Sequence, residues 1–165
     1  MTRKTTLSTF ALIVCAVLVS ACSQAPSTDA KLSSAERSAV QTEVEAYLDE
    51  YMDAFLSADA DRIRNLYLPG ERFHWYEDGK LRYRDPEAIV TVHESLREGY
   101  LTTVLIETKI DPLSTTVANV SALWDSQLRL SSGDELAFEG CLTMLLEKAG
   151  SGEWRAVSGH SSQGK

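Results

Sequence analysis

Trp154-Arg155-Ala156-Val157-Ser158-Gly159-His160-Ser161-Ser162 alternates large with small residues, directly after the Gly-rich turn 149–152. That alternation has the period of a β-strand. The stretch reads as the closing strand of a curved sheet, and the rest of the fold follows by working back from it. Residues 136–146 put Leu136, Phe138, Leu142, Met144 and Leu146 on one side. Before the turn Ser131-Ser132-Gly133-Asp134, residues 116–130 alternate again: Val120, Ala122, Trp124, Leu128 and Leu130 point one way, Asn119, Ser121, Asp125, Gln127 and Arg129 the other. Residues 101–110 are rich in Thr, Val and Ile and read as a further strand. The second half of the chain is therefore an antiparallel meander.

The first half reads differently. Ser33-Ser34-Ala35-Glu36 has capping-box spacing, and Val40, Val44, Tyr47, Leu48, Tyr51 and Phe55 follow at intervals of three and four. This predicts a helix over 34–57 with one apolar face. Asp59 caps a second short helix holding Ile63, Leu66 and Tyr67, which Pro69-Gly70 ends. Asp85-Pro86 starts a third, reaching to about residue 98 with Ile89, Val92 and Leu96 on its stripe, His93 and Glu94 beside it and Gly99 at its end. Between the second and third helices, Asp78-Gly79 turns a hairpin. Counting outward, Glu77 opposes Lys80, Tyr76 opposes Leu81, Trp75 opposes Arg82 and His74 opposes Tyr83. His74, Tyr76, Leu81 and Tyr83 then share a face, expected inside; Phe73, Trp75, Arg82 and Arg84 share the solvated one. Helices followed by a meander predict an α+β layer: one curved, mostly antiparallel sheet packed against about three helices from the N-terminal half.

The start of the chain carries a different message. Arg3 and Lys4 precede an apolar run at 7–19, of signal-peptide rather than membrane-spanning length. Val19-Ser20-Ala21-Cys22 resembles the bacterial lipobox, which implies cleavage before Cys22, lipid on its thiol and, with Ser23 following, the outer membrane facing the periplasm. The expected division is a signal at 1–21, a tether at 22–33 and a domain at 34–162. Loss of Cys15 with the signal and lipidation of Cys22 leave Cys141 alone, read as a small core residue. The chain has 16 basic and 24 acidic residues; without Arg3 and Lys4 there are 14 against 24, a net −10. No basic cluster offers itself to phosphates, so nucleic-acid binding is disfavoured, and membrane contact falls to the anchor.

Several short motifs occur in a telling order: Phe55-Leu56-Ser57-Ala58-Asp59, Leu66-Tyr67, Asp85-Pro86-Glu87-Ala88-Ile89, Ala118-Asn119-Val120, and Gly152-Glu153-Trp154-Arg155-Ala156-Val157 followed by His160-Ser161-Ser162. Over 34–162 the chain thereby resembles the nuclear-transport-factor-2-like superfamily. This cone-shaped fold also serves ketosteroid isomerases, SnoaL-like polyketide cyclases and the association domain of calcium/calmodulin-dependent kinase II. The resemblance implies a pocket between sheet and helices, and a homodimer formed sheet to sheet.

The candidate ligand-binding residues are Tyr51, Phe55, Tyr76, Trp124, Met144, His160 and Ser161. In isomerase relatives the hairpin supplies a carboxylate base; the matching place here is near Tyr76, with Glu77 one residue away on the opposite face. In the association domain inward strand positions hold arginines, where this chain has Trp124, Met144 and Ser161. A phenol is a poor general base near neutral pH. The weak acid/base candidates are therefore Tyr76, Glu77 and His160, and His160 has an equally simple role, bonding a backbone carbonyl at the sheet's end. His74, His93 and His160 are too scattered to nominate a metal site, and no cofactor motif is present. The expected function is binding of a small apolar or aromatic molecule by a lipid-anchored domain, leaning away from catalysis. An isomerase, dehydratase or cyclase is the first alternative, and a dimeric interaction module with a closed pocket the second.

Overall fold

The computed structural model describes residues 31–95, 100–130 and 132–164, in the element order α1 (Ser34–Ser57), α2 (Ala60–Asn65), β1 (His74–Glu77), β2 (Lys80–Tyr83), α3 (Pro86–Ser95), β3 (Tyr100–Pro112), β4 (Val117–Arg129), β5 (Glu135–Lys148) and β6 (Trp154–Gln163). The expected signal, Cys22 and the tether up to residue 30, together with the helix end at Leu96 and Gly99, lie outside these residues.

The capping box forms as the spacing predicts. The Ser33 amide donates to Glu36 Oε2 at 2.9 Å, and the Glu36 amide donates to Ser33 Oγ at 3.2 Å. Two of the orphan donors at the helix start are thus satisfied reciprocally. α1 then buries Val40, Val44, Tyr47, Leu48, Tyr51 and Ala54. It ends at Ala58, whose left-handed φ of 47° lets its amide reach the Ala54 and Phe55 carbonyls. Asp59 caps α2 through the Asp61 and Arg62 amides.

The strands make one curved, unclosed, six-stranded sheet in the order β2-β1-β6-β5-β4-β3. The helices pack on one face of it. β3 to β6 are antiparallel neighbours, whereas β1 runs parallel to β6, His74 beside Ser158 and Glu77 beside Ser161. The core lies between helices and sheet: Val44 and Tyr47 from α1, Ile63 from α2, and Val120, Met144, Leu146 and Ala156 from the strands are buried. Tyr47 stitches the layers, its hydroxyl donating to the Leu66 carbonyl at 3.1 Å.

Two irregularities decide which side chains face the helices. In β6 the pairing skips a residue, from Leu145 opposite Ser158 to Leu146 opposite Ala156, so Val157 is an extra residue. Trp154 and Ala156 face the helices before this bulge. After it the inward parity passes to Gly159 and Ser161, and His160 turns to the outer face opposite Thr143. In the hairpin, Glu77 opposes Lys80 and Tyr76 opposes Leu81 as expected, but Trp75 opposes Tyr83, with Arg82 left over. This corrects both the register and the expected faces. Phe73 and Trp75 are buried at 3% exposure and Tyr76 is exposed at 39%. The physical reason is the neighbour: Trp75 lies beside Gly159, and a glycine on the inner face leaves the room an indole fills.

Candidate functional site

Where the sheet curves away from the helices it leaves a cavity of about 280 Å³. That is the small end of the ~300–1,000 Å³ range of ligand sites. The apolar stripe of α1 reaches it through Tyr51, Met52 and Phe55. β1 and β2 contribute Trp75, Glu77 and Tyr83, with Asp78 at the turn, and α3 contributes Ile89 and His93. The far wall is Trp124 and Ser126 of β4 with Phe138 and Leu142 of β5; Ser161 of β6 closes the side.

Phe, Tyr and Trp supply the largest side chains of this lining, and the rings hold one another. Tyr51 and Phe55 are 4.5 Å apart centre to centre, Trp124 meets Phe138 edge-on at 5.6 Å, and Tyr67 meets Trp75 edge-on at 5.7 Å. Both tryptophans rest against a glycine of the neighbouring strand, Trp124 against Gly140 and Trp75 against Gly159. Polar groups stand between the rings, and several are fixed by hydrogen bonds. Trp75 Nε1 donates to Ser161 Oγ at 3.4 Å, and the Tyr83 hydroxyl donates to Glu77 Oε2 at 3.3 Å. Ser126, 2% exposed, shares a 2.9 Å bond with the Thr103 hydroxyl.

Burial tunes two of the titratable groups. It pushes the Tyr67 phenol well above its ordinary range. It lowers His93 to about 4, because the imidazolium would lose its hydration among apolar neighbours. His93 is therefore a neutral imidazole near pH 7, edge-on to Phe55 at 4.1 Å.

Of the residues the sequence nominated, Tyr51, Phe55, Trp124 and Ser161 line the cavity. Three do not. Tyr76 lies on the outer face beside His160, since its neighbour Trp75 takes the inner side. His160 is turned outward by the bulge at Val157. Met144 has the inward parity but lies one step beyond Leu142 along that face, where the helices close over the sheet and bury it to 1% exposure. Glu77, placed on the opposite face from Tyr76, is the acid/base candidate that reaches the cavity. Sequence reasoning passed over Trp75, Asp78 and His93. The signals existed: Gly159 as a partner for a large ring, and His93 one helical turn after Ile89. Among the described residues no three His, Cys, Asp or Glu side chains gather as metal ligands.

Residues 44–164 match the family model described as SnoaL-like domain. No curated protein matches the chain. Among solved structures, a nuclear transport factor 2-like superfamily protein from Salmonella enterica superposes with a TM-score of 0.66 at 16% identity, over 78% of this chain and 93% of that one. A ketosteroid isomerase-like protein from Erwinia carotovora atroseptica gives 0.63 at 19% identity, over 75% and 95%. A conserved protein from Planctomyces limnophilus gives 0.69 at 13% identity, over 78% and 98%. Identities this low speak for a shared fold, and function has to come from the site.

Proposed function

We propose, for a chain that belongs to the SnoaL-like domain family, that the cavity between sheet and helices binds a small, largely apolar or aromatic molecule. The observation that carries this is the cavity itself: about 280 Å³ walled by Trp75, Trp124, Phe55 and Phe138, with the Thr103, Ser126 and Ser161 hydroxyls between them already held in hydrogen bonds. Such a site gains affinity by burying apolar surface, at ~25 cal/mol per Å² before the costs of association. A flat ring suits walls made of ring faces and edges.

The test is a thermal-shift screen of small aromatic and alicyclic compounds against the wild-type chain and Trp124→Ala. A ligand at a hundred times its Kd stabilises its protein by ~2.7 kcal/mol. At least one compound is expected to raise the wild-type melting temperature and to lose that effect in Trp124→Ala, with the variant still folded. A screen in which nothing moves the wild type counts against binding.

A specific observation also favours a catalytic reading. The preference for binding alone rested on a missing base, and Glu77 stands at the cavity with its carboxylate held by Tyr83. An isomerase-type proton transfer at Glu77 is thus the second reading. Glu77→Gln removes the base while keeping its shape, so it would abolish any turnover found but leave affinity for a neutral ligand nearly unchanged.

The setting we propose is the cell envelope, with the domain tethered by lipid on Cys22 and facing the periplasm. Globomycin is expected to accumulate precursor; unchanged processing would remove the anchor. Pairing of two copies through the outer sheet face is supported by apolar side chains left on it, Val104 at 53% and Leu123 at 44% exposure. Sedimentation of the full chain over a concentration series tests that pairing.

A further inference from the structure

The charges at the cavity have one sign. Glu77 and Asp78 line it at the hairpin tip, and among the described residues no Lys or Arg does. Neither carboxylate is spent on an ion pair among the described residues. Glu77 accepts from the Tyr83 hydroxyl at 3.3 Å, and Asp78 Oδ1 accepts from the Gln163 amide at 3.1 Å. His93, the basic side chain of the lining among the described residues, is neutral near pH 7 because burial disfavours its cation.

The rings add to this. An aromatic face carries the negative lobe of the ring quadrupole, and a cation over it is attracted more strongly where water is excluded. Trp is the ring type that attracts a cation most strongly, and Trp75 and Trp124 line the same space as Glu77. The chain as a whole carries −8, which draws cations towards it. A bare divalent metal ion is the wrong cation: calcium asks for six or more oxygens and magnesium for an octahedron of them. Adjacent carboxylates among indoles and phenyl rings do not offer that set.

We propose that the ligand is an organic cation, a compact ammonium compound with an apolar or aromatic body, taken up by the indole faces and neutralised by Glu77 with Asp78. This rests on the binding reading above and names its ligand class. In the catalytic reading the same carboxylate both attracts the substrate and takes its proton.

The test is isothermal titration of the full chain with three probes of nearly one shape: phenyltrimethylammonium, its neutral isostere tert-butylbenzene, and the anion benzenesulfonate. Phenyltrimethylammonium is expected to bind at least ~10-fold more tightly than tert-butylbenzene, the size of a partly desolvated cation–ring contact, and benzenesulfonate to bind worst. Glu77→Gln and Asp78→Asn should each shrink the advantage of the cation and leave tert-butylbenzene where it was. Asn at position 78 keeps the left-handed turn that Asp78 adopts at φ 48°, so this variant serves even if Glu77→Gln unfolds. Equal or tighter binding of tert-butylbenzene or benzenesulfonate overturns the cation assignment and leaves the binding reading standing. Binding of none of the three overturns both.

Discussion

Gly159→Ala is a small substitution that the structure makes expensive. Gly159 lies outside the left-handed region, so alanine suits its backbone and any effect is steric. A methyl there would stand 2.7 Å from Trp75 Cε3 and Cη2 and closer still to Cζ3. Carbon atoms rest at ~3.5–4.0 Å, so the indole must retreat by more than ~1 Å, and with the sheet behind it the retreat is into the cavity. Two further contacts suffer: the 3.4 Å bond from Trp75 Nε1 to Ser161, and the edge contact with Tyr67. Overpacking of this kind costs ~1–3 kcal/mol, a fall in melting temperature of roughly 3–15 °C for a domain of this size. Any ligand of the cavity should lose affinity along with it. Thermal denaturation followed by near-ultraviolet circular dichroism measures the first effect, and titration with a screening hit the second. Gly150→Ala is the control, since a methyl there meets nothing within 4 Å. If Gly159→Ala matches Gly150→Ala in both measurements, the indole does not rest on that glycine and the cavity wall is wrongly drawn.

Tyr47→Phe removes the donor to the Leu66 carbonyl, which still accepts from the Ala156 amide at 2.8 Å. Because no buried acceptor is orphaned, the loss should be only ~0.5–1.5 kcal/mol by urea denaturation; a loss above 3 would mean the hydroxyl does more. His93→Leu should change the pH profile. His93 is about 4 in the fold against ~6.5 in an unfolded chain. Its stabilising share is whole above pH 6.5 and is lost as pH falls towards 4, on the order of 3 kcal/mol. Wild-type stability should slope across that window and the leucine variant should be flatter. Parallel curves would place His93 in water. Glu36, Glu43, Glu50 and Glu87, all held below the ordinary glutamate range by hydrogen bonds, act lower on the pH scale and leave the upper part of the window clear.

Much of the architecture is local and therefore legible. Ser33 with Glu36 starts α1, Asp78-Gly79 turns the hairpin, and the alternation around Val120 to Trp124 points the strand the right way, because each is settled by residues a few positions apart. The cavity was harder, because its lining depends on pairing between distant strands. One extra residue at Val157 reverses the parity of the rest of β6, which no pattern within that strand announces. The parallel pairing of β1 with β6 then decides that Trp75 and Glu77 rather than Tyr76 face inward. Arg82 and Arg84, expected on the same hairpin face as Trp75, argued for solvent, but Gly159 across the pairing outweighs them. His93 was passed over for a simpler reason: it lies beside the apolar stripe of α3, and what brings it into the site is Phe55 of another helix, packed against its ring. So the closing strand located the fold correctly, and its histidine was the wrong residue to follow into the site.

The most direct test uses the chain's three tryptophans, each with an indole N–H visible by nitrogen-edited NMR. Trp75 and Trp124 line the cavity, whereas Trp154 lies outside it, its Nε1 bonded to Glu43 at 2.8 Å. A bound aromatic ligand is expected to shift the Trp75 and Trp124 indole resonances saturably and to leave Trp154 still. Shifts confined to Trp154, or equal at all three, would contradict a ligand site in the cone.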